Sequence, residues 1–180
     1  MPIASTDLAF KLSVTAGAAG NSTAGTAAGS HGKYISTTVL PDGVLDNLFD
    51  DVTGDENAAS NVDYKCLFIH NAHATLTLQR TVVWLFSEVA GGANTAVALD
   101  NIGVTPIGQA GPQASTILNE DTAPVGVGVF SSPATKATGL LIGDIPPGSC
   151  APIWVKRSAT NSAAQNSDGV TLRVEGDTIA

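Results

Sequence analysis

The 180-residue sequence is poor in charged side chains and contains no cluster of basic residues. Asp, Glu, Lys and Arg make up 13% of it, against about 25% in average soluble domains. The formal net charge is -8, from 16 acids and 8 bases, and the only basic doublet is Lys156-Arg157. Duplex nucleic acid and anionic membranes are bound through clustered cations. The composition therefore argues against direct binding to nucleic acid or to a membrane.

The sequence also lacks a signal peptide and a membrane-spanning run. Residues 1–7 have neither the basic start nor the apolar core of a secretory signal, and no apolar run reaches the roughly 20 residues that span a bilayer. These absences predict a soluble protein made in the cytosol. Both cysteines, Cys66 and Cys150, lie in or beside apolar segments, so we expect buried, reduced thiols. A disulfide is the alternative if their strands are neighbours.

Because charges are scarce, small polar and small apolar residues must cover much of the surface. Charged residues are depleted in the cores of protein interfaces, so the composition favours a subunit of a larger assembly over a free monomer. The length predicts one domain over residues 1–180. Within it, residues 16–32 are dominated by Gly, Ala, Ser and Thr. They predict a flexible loop or arm that becomes ordered against a neighbour.

Short strand-like segments recur along the chain between turn residues. In residues 7–15 every second residue is apolar, which is the period of a half-buried strand. Residues 44–49 fit either one helical turn or a short strand, and no segment has the pattern of a three-turn helix. We therefore predict an all-β fold: an antiparallel β-sandwich, immunoglobulin-like or jelly-roll, of about eight to ten short strands with long irregular loops; a small barrel is the alternative. The later predicted strands lie at residues 33–40, 64–71, 75–85, 96–99, 115–118, 126–130, 139–142, 152–157 and 170–174.

Residues 62–85 hold most of the large apolar side chains. Two strand-like runs flank a short polar break, which predicts an antiparallel hairpin. The first run is apolar on both faces, as expected for a central strand that is covered on each side. Gln79-Arg80 interrupts the second run and predicts a bulge. The expected core side chains of this segment are Tyr64, Cys66, Phe68 and Trp84.

No constellation of residues points to catalysis. The sequence has no Gly-x-Ser-x-Gly elbow, and its glycine-rich segments do not end in the Gly-Lys-Ser/Thr of a phosphate loop. His70 and His73 lie at a strand end and a turn, a position that favours a polar turn with a strand-end histidine over a zinc site. The sequence therefore predicts a protein that is not an enzyme and has no cofactor.

The acidic segment at residues 50–57 offers weak candidates for calcium, because carboxylate oxygens are the hard ligands that this ion prefers. Its spacing does not match an EF-hand loop. A solvated acidic loop is the preferred interpretation, and no metal site is predicted. The weak calcium candidates are Asp50, Asp51, Asp55 and Glu56.

Several segments resemble virion structural proteins of tailed bacteriophages. F-D-D-V-T-G-D-E-N at residues 49–57 is followed by Y-K-C-L-F-I-H-N at 64–71 and A-T-L-T-L at 74–78. A-P-V-G-V-G-V-F at 123–130 and G-D-I-P-P-G-S-C-A-P-I-W-V-K-R at 143–157 resemble the second half of such proteins. None of these segments is a catalytic motif.

The resemblance implies a capsid decoration, or cement, protein that binds the outer capsid surface and stabilises it. Its partners would be the major capsid protein and copies of itself, with a trimer as the common form. It would be made in the cytoplasm of a bacterial host and reside on the capsid surface. The first alternative is a tail or head-tail accessory protein. An alternative of another class is a carbohydrate-binding β-sandwich that uses the acidic loop and an exposed aromatic side chain.

Under the decoration hypothesis, contacts between subunits are expected in the arm, at the N-terminal residues and at the basic doublet. The arm can exchange with a neighbour, and the doublet can pair with acids on a neighbouring subunit. The interface candidates are Ala16, Asn21, Ser30, Lys156 and Arg157.

Overall fold

A computed structural model describes residues 2–17, 22–165 and 167–178. These residues form two antiparallel sheets packed face to face, so the predicted all-β sandwich is confirmed. The described part contains nine strands, within the predicted range, and no helix long and apolar enough to cross a membrane. The elements are 3-10 turns at Ser5–Asp7 and Lys136–Thr138, helix α1 at Gly54–Ala59, and strands β1 Leu8–Val14, β2 Tyr34–Val39, β3 Val62–Asn71, β4 Leu78–Glu88, β5 Asn94–Leu99, β6 Thr105–Pro106, β7 Leu140–Ile145, β8 Ser149–Ser158 and β9 Val170–Asp177.

The two sheets differ in size. The larger sheet has the strand order β2-β1-β3-β8-β5, and the short β6 also pairs with β8. The smaller sheet has only three strands, in the order β7-β4-β9. All pairings are antiparallel. The smaller sheet therefore covers only part of the larger one.

The prediction of a hairpin over residues 62–85 is wrong. β3 pairs with β1 and β8 in the larger sheet, whereas β4 pairs with β7 and β9 in the smaller sheet. Residues 72–77 carry the chain from one sheet to the other. Facing sheets let Leu67 of β3 and Val83 of β4 share one core between the layers, whereas a hairpin would have placed the strands side by side.

Strand β3 is covered on both faces, as predicted for a central strand. Leu67 and Ile69 belong to the core between the sheets, and Cys66 and Phe68 belong to a second core on the outer face of the larger sheet. All four side chains are fully buried. Successive side chains of a strand point to opposite faces, so an uninterrupted apolar run needs two separate covers. Of the other expected core residues, Trp84 is buried and Tyr64 is half-buried.

Long loops, not a third sheet, cover that outer face. Residues 115–118 and 126–130 were predicted as strands, and the structure contradicts this: each makes isolated bridges only. Gly126 has φ +79°, a conformation that interrupts an extended strand. The loops are nevertheless bonded to the sheet, for example by Gly128 N–H donating to the Leu99 carbonyl at 2.8 Å. We call residues 100–135 the loop layer.

The described part of the predicted arm is also packed against the larger sheet. The Cys66 N–H donates to the Ser30 carbonyl at 2.8 Å, and the Ser30 hydroxyl donates to the Cys66 carbonyl at 2.7 Å. These bonds occupy the edge of β3 where β1 has turned away, because the pairing of β1 with β3 ends at Leu12. Residues 22–32 thus include a segment that is hydrogen-bonded to the larger sheet, and the flexible loop or arm at residues 16–32 stays a prediction.

Three smaller predictions concern the bulge in β4, the form of residues 44–49 and the state of the two cysteines. The bulge at Gln79-Arg80 is confirmed, because the register of β4 shifts there and Arg80 has φ +49°. Residues 44–49 form turns, neither a helix nor a strand. Cys66 and Cys150 are buried and free, as expected.

The buried Asn71 side chain holds the connection between the sheets. Its amide donates to the carbonyls of Leu76 and Ile145, both at 2.9 Å, and its oxygen accepts from His73 N–H at 3.1 Å. The chain thereby turns out of β3 and meets the end of β7 at one point. Every hydrogen-bonding group of this amide except one lone pair has a partner.

We predict that Asn71→Ala lowers the free energy of unfolding by about 2–4 kcal/mol, because it leaves buried backbone groups without partners. Urea denaturation followed by tryptophan fluorescence measures the change. Asn101→Ala is the matched control, since Asn101 is exposed and no side-chain hydrogen bond is seen for it in the described structure; its effect should stay within about 0.5 kcal/mol. Equal effects of the two substitutions would contradict this role.

Candidate interaction surfaces

The five interface candidates lie in different environments. Ala16 is exposed, Lys156 is half-buried, and Ser30 and Arg157 are buried within the chain. Asn21 lies outside the described residues. Ser30 and Arg157 therefore pack within the chain's own fold, and among the four described candidates only Ala16 and Lys156 have side chains that reach solvent. Lys156 Nζ lies 5.7 Å from the centre of the Phe130 ring, at the edge of the loop layer.

Arg157 is held by acids of the same chain. Its guanidinium donates to Asp63 Oδ2 from Nε at 2.9 Å and from Nη2 at 2.7 Å, and it also contacts Asp50. The guanidinium lies 4.8 Å above the Phe49 ring. Burial raises the pKa of Asp63, and the bonds to Arg157 oppose that rise. The charge of Arg157 is thus largely satisfied inside the molecule.

Part of the acidic segment at residues 50–57 forms the N-terminal cap of helix α1. Thr53 N–H donates to Glu56 Oε2 at 2.8 Å, and Glu56 N–H donates to Thr53 Oγ1 at 3.3 Å, the reciprocal bonds of a capping box. The Thr53 backbone bond lowers the pKa of Glu56. Asp50 contacts Arg157, while Asp51 and Asp55 carry no ion pair in the described structure. Within those residues no three His, Cys, Asp or Glu side chains are placed to share a metal ion.

His70 lies in a buried group of titratable side chains on the outer face of the larger sheet. It pairs in register with Cys150 of β8 and with Ala9 of β1. Burial lowers the pKa of His70 to about 4, with a further contribution from Lys11. Burial also raises the pKa of the Cys150 thiol to about 11. A thiol that stays protonated at neutral pH is a poor nucleophile. The buried Cys150 side chain therefore packs as a core residue.

The most exposed apolar side chains lie on the loop layer. Leu118 is 90% exposed, Val125 85% and Val129 89%. The loop that carries them contacts Tyr64 at two points: the Glu120 carbonyl accepts from Tyr64 N–H at 2.8 Å, and the Phe130 ring centre is 5.5 Å from that of Tyr64. We call Leu118, Val125 and Val129 the loop patch. Three such exposed side chains on one loop layer make this face the candidate for an apolar contact with a partner.

Asp100 fixes the loop layer to the sheet. Its Oδ2 accepts from Trp154 Nε1–H at 2.9 Å and from Ser115 N–H at 2.7 Å, and its Oδ1 accepts from Ile102 N–H at 2.9 Å. Asp100 and Trp154 are both buried. One carboxylate thus joins β8 to the start and the middle of the loop layer, so the loop patch is presented on a rigid support.

A second surface is an open cleft of about 1120 Å³ at one end of the sandwich. Its walls are residues 39–54, the end of β4, residues 159–165 and the start of β9. Leu8 and Phe10 of β1 line it together with Leu172 of β9. Core side chains of both sheets therefore reach solvent in this cleft.

Comparison with family models, with curated proteins and with solved structures finds no match. These two surfaces and the sequence are therefore the basis of the proposed function. The sequence indicated a charge-poor surface but neither site. The repeated valines of residues 123–130 were the one available signal for the loop patch, and residues 126–130 were predicted as a strand.

We predict that the stability of the protein falls between pH 6.5 and about pH 4 through His70. In the unfolded chain His70 takes up a proton near pH 6.5, whereas in the fold it stays neutral down to about pH 4. Acid therefore favours the unfolded state, by about 3 kcal/mol from this residue once the pH is below 4. His70→Gln should flatten the difference in unfolding free energy between pH 7 and pH 4.5, measured by urea denaturation. Identical pH profiles would refute the assignment.

We further predict that Asp100→Ala lowers the free energy of unfolding by about 2–3 kcal/mol, because Trp154 Nε1–H and two backbone N–H groups lose their acceptor. Asp121→Ala, an exposed acid of the same loop layer, serves as the control and should change stability by about 0.5 kcal/mol or less. Hydrogen exchange of the Ser115 amide reports on the same contact. Unchanged protection of that amide in Asp100→Ala would contradict the role given to this carboxylate.

Proposed function

We propose that this protein is an accessory structural subunit of a virion, a capsid decoration protein that binds the outer capsid surface through its loop patch. The observation that carries the proposal is the loop patch itself, three apolar side chains that are 85–90% exposed on a rigid layer. The resemblance of five segments to tailed-bacteriophage virion proteins supports the kind of assembly. The low content of charged residues supports an extensive protein–protein contact.

The mechanism is burial of apolar surface across neighbouring capsid subunits. Full burial of a Val or Leu side chain is favourable by about 1.5–3 kcal/mol. A rigid layer loses little conformational freedom when it docks, so more of this energy remains as affinity. Contacts to two capsid subunits at once would oppose their separation under internal pressure. Repetition over a symmetric lattice would multiply the effect.

Immunogold labelling of virions with an antibody against this protein tests the location. The expected result is label distributed over the capsid surface. Label confined to tails would overturn the decoration hypothesis in favour of a tail or head-tail accessory protein. Virions without label, together with glycan binding by the purified protein, would favour the carbohydrate-binding alternative.

Binding of purified protein to capsids stripped of it tests the surface. Leu118→Ser should weaken binding at least about tenfold, and the triple variant of the loop patch should abolish it, because each change removes the burial energy of one side chain. Leu141→Ser is the control: Leu141 is also exposed but lies on β7 of the smaller sheet. Equal losses for Leu118→Ser and Leu141→Ser would overturn the assignment of the loop patch.

A further inference from the structure

The smaller sheet ends at an open strand edge. β9 pairs with β4 on one side, and no other strand of the described structure pairs with it. The cleft reaches the start of this strand: Val170, Thr171 and Leu172 line it, together with their β4 neighbours Ser87 and Glu88. An unpaired strand edge presents backbone N–H and C=O groups that can bind an added strand.

The floor of the cleft is apolar and belongs to the core of the sandwich. Phe10, Leu40, Phe49 and Leu172 pack against the buried core cluster, yet each remains only half-buried. Here the larger sheet extends beyond the three strands of the smaller one. A segment laid beside β9 would cover these side chains and act as a fourth strand of the smaller sheet.

The rim of the cleft is strongly acidic. Six acids and a single base, Arg157, line it. Arg157 is already paired with Asp63 and Asp50. Three of the acids, on the loop between β2 and α1, have no ion pair within the described part of the chain: Asp42, Asp46 and Asp51.

We infer that this cleft binds an extended segment of another protein as an added strand beside β9, with apolar side chains alternating with Lys or Arg. Successive side chains of a strand point to opposite faces. One set would therefore enter the apolar floor while the other met the carboxylates of the rim. Strand addition to a sheet edge is an established mode of peptide recognition.

Charge complementarity selects a different protein over a second copy of this chain. A second copy also carries a net charge of -8, and its eight bases are scattered, with no more than two in any one strand. Its N-terminal residues before β1 contain no Lys or Arg. The inference does not depend on the virion proposal, since the loop patch and the cleft are formed by different residues.

The test is an NMR titration of the ¹⁵N-labelled protein with a capped eight-residue peptide of alternating Lys and Val. We expect saturable shifts of the amides of residues 170–172 and 39–53, with no shifts at residues 118–129. The peptide with Glu in place of Lys should not bind. A Lys and Val peptide with one central Pro should bind weakly, because Pro cannot donate to the ladder.

Variants of the rim test the charge contribution. The triple change of Asp42, Asp46 and Asp51 to Asn should weaken binding of the Lys and Val peptide about threefold or more at low salt, since exposed ion pairs are worth about 0.2–1 kcal/mol each. The single variants Asp46→Asn and Asp121→Asn form a matched pair of test and control. Only Asp46→Asn should reduce the affinity for the Lys and Val peptide. Asp46 has φ +55°, a conformation that Asn also adopts readily.

Four outcomes would overturn the inference. They are absence of peptide binding, equal binding of the Lys and Glu peptides, shifts that avoid β9, and unchanged affinity in the rim triple variant. Self-association of the protein through residues 170–172 at high concentration would assign the cleft to a second copy instead. If the protein binds capsids but its cleft does not bind the peptide, the proposed function still holds. The two proposals can therefore fail separately.

Discussion

The need to bury both faces of β3 determines the rest of this structure. Leu67 and Ile69 point to one side of the strand and Cys66 and Phe68 to the other, and all four are fully buried. A central strand of this kind needs two independent covers. The smaller sheet supplies one, and the loop layer supplies the other. The two candidate surfaces follow from the way in which each cover is built.

The first cover is incomplete in width. Three strands lie over a sheet of six, so β9 ends the smaller sheet before Leu8 and Phe10 of β1 are fully covered. The turns of residues 41–53 border the opening and are rich in acids. An edge strand that borders an apolar floor is a risk for uncontrolled association, and charges around it reduce that risk. The same acids would select a partner with the opposite charge.

The second cover is irregular but rigid. Loops that cross a sheet face must find partners for their backbone groups, and here Asp100 and the bridges to β5 provide them. Apolar side chains on the inner side of the layer, such as Val127 and Phe130, pack on the second core. Those on the outer side have nothing to cover them. A surface of this kind suits a subunit that completes its packing only in an assembly, which is the basis of the proposed function.

The sequence alone determined the fold class, the strand periods, the central place of β3 and the bulge at Arg80, because these depend on local alternation and on turn residues. It did not determine which strands share a sheet. The run at residues 62–85 reads as a hairpin locally, yet Asn71 and the shared core place its halves in opposite layers. The cleft, the buried role of Arg157 and the exposure of Val125 and Val129 were likewise decided by tertiary structure. Each depends on what lies across the fold from a residue, and a one-dimensional pattern carries no record of that neighbour.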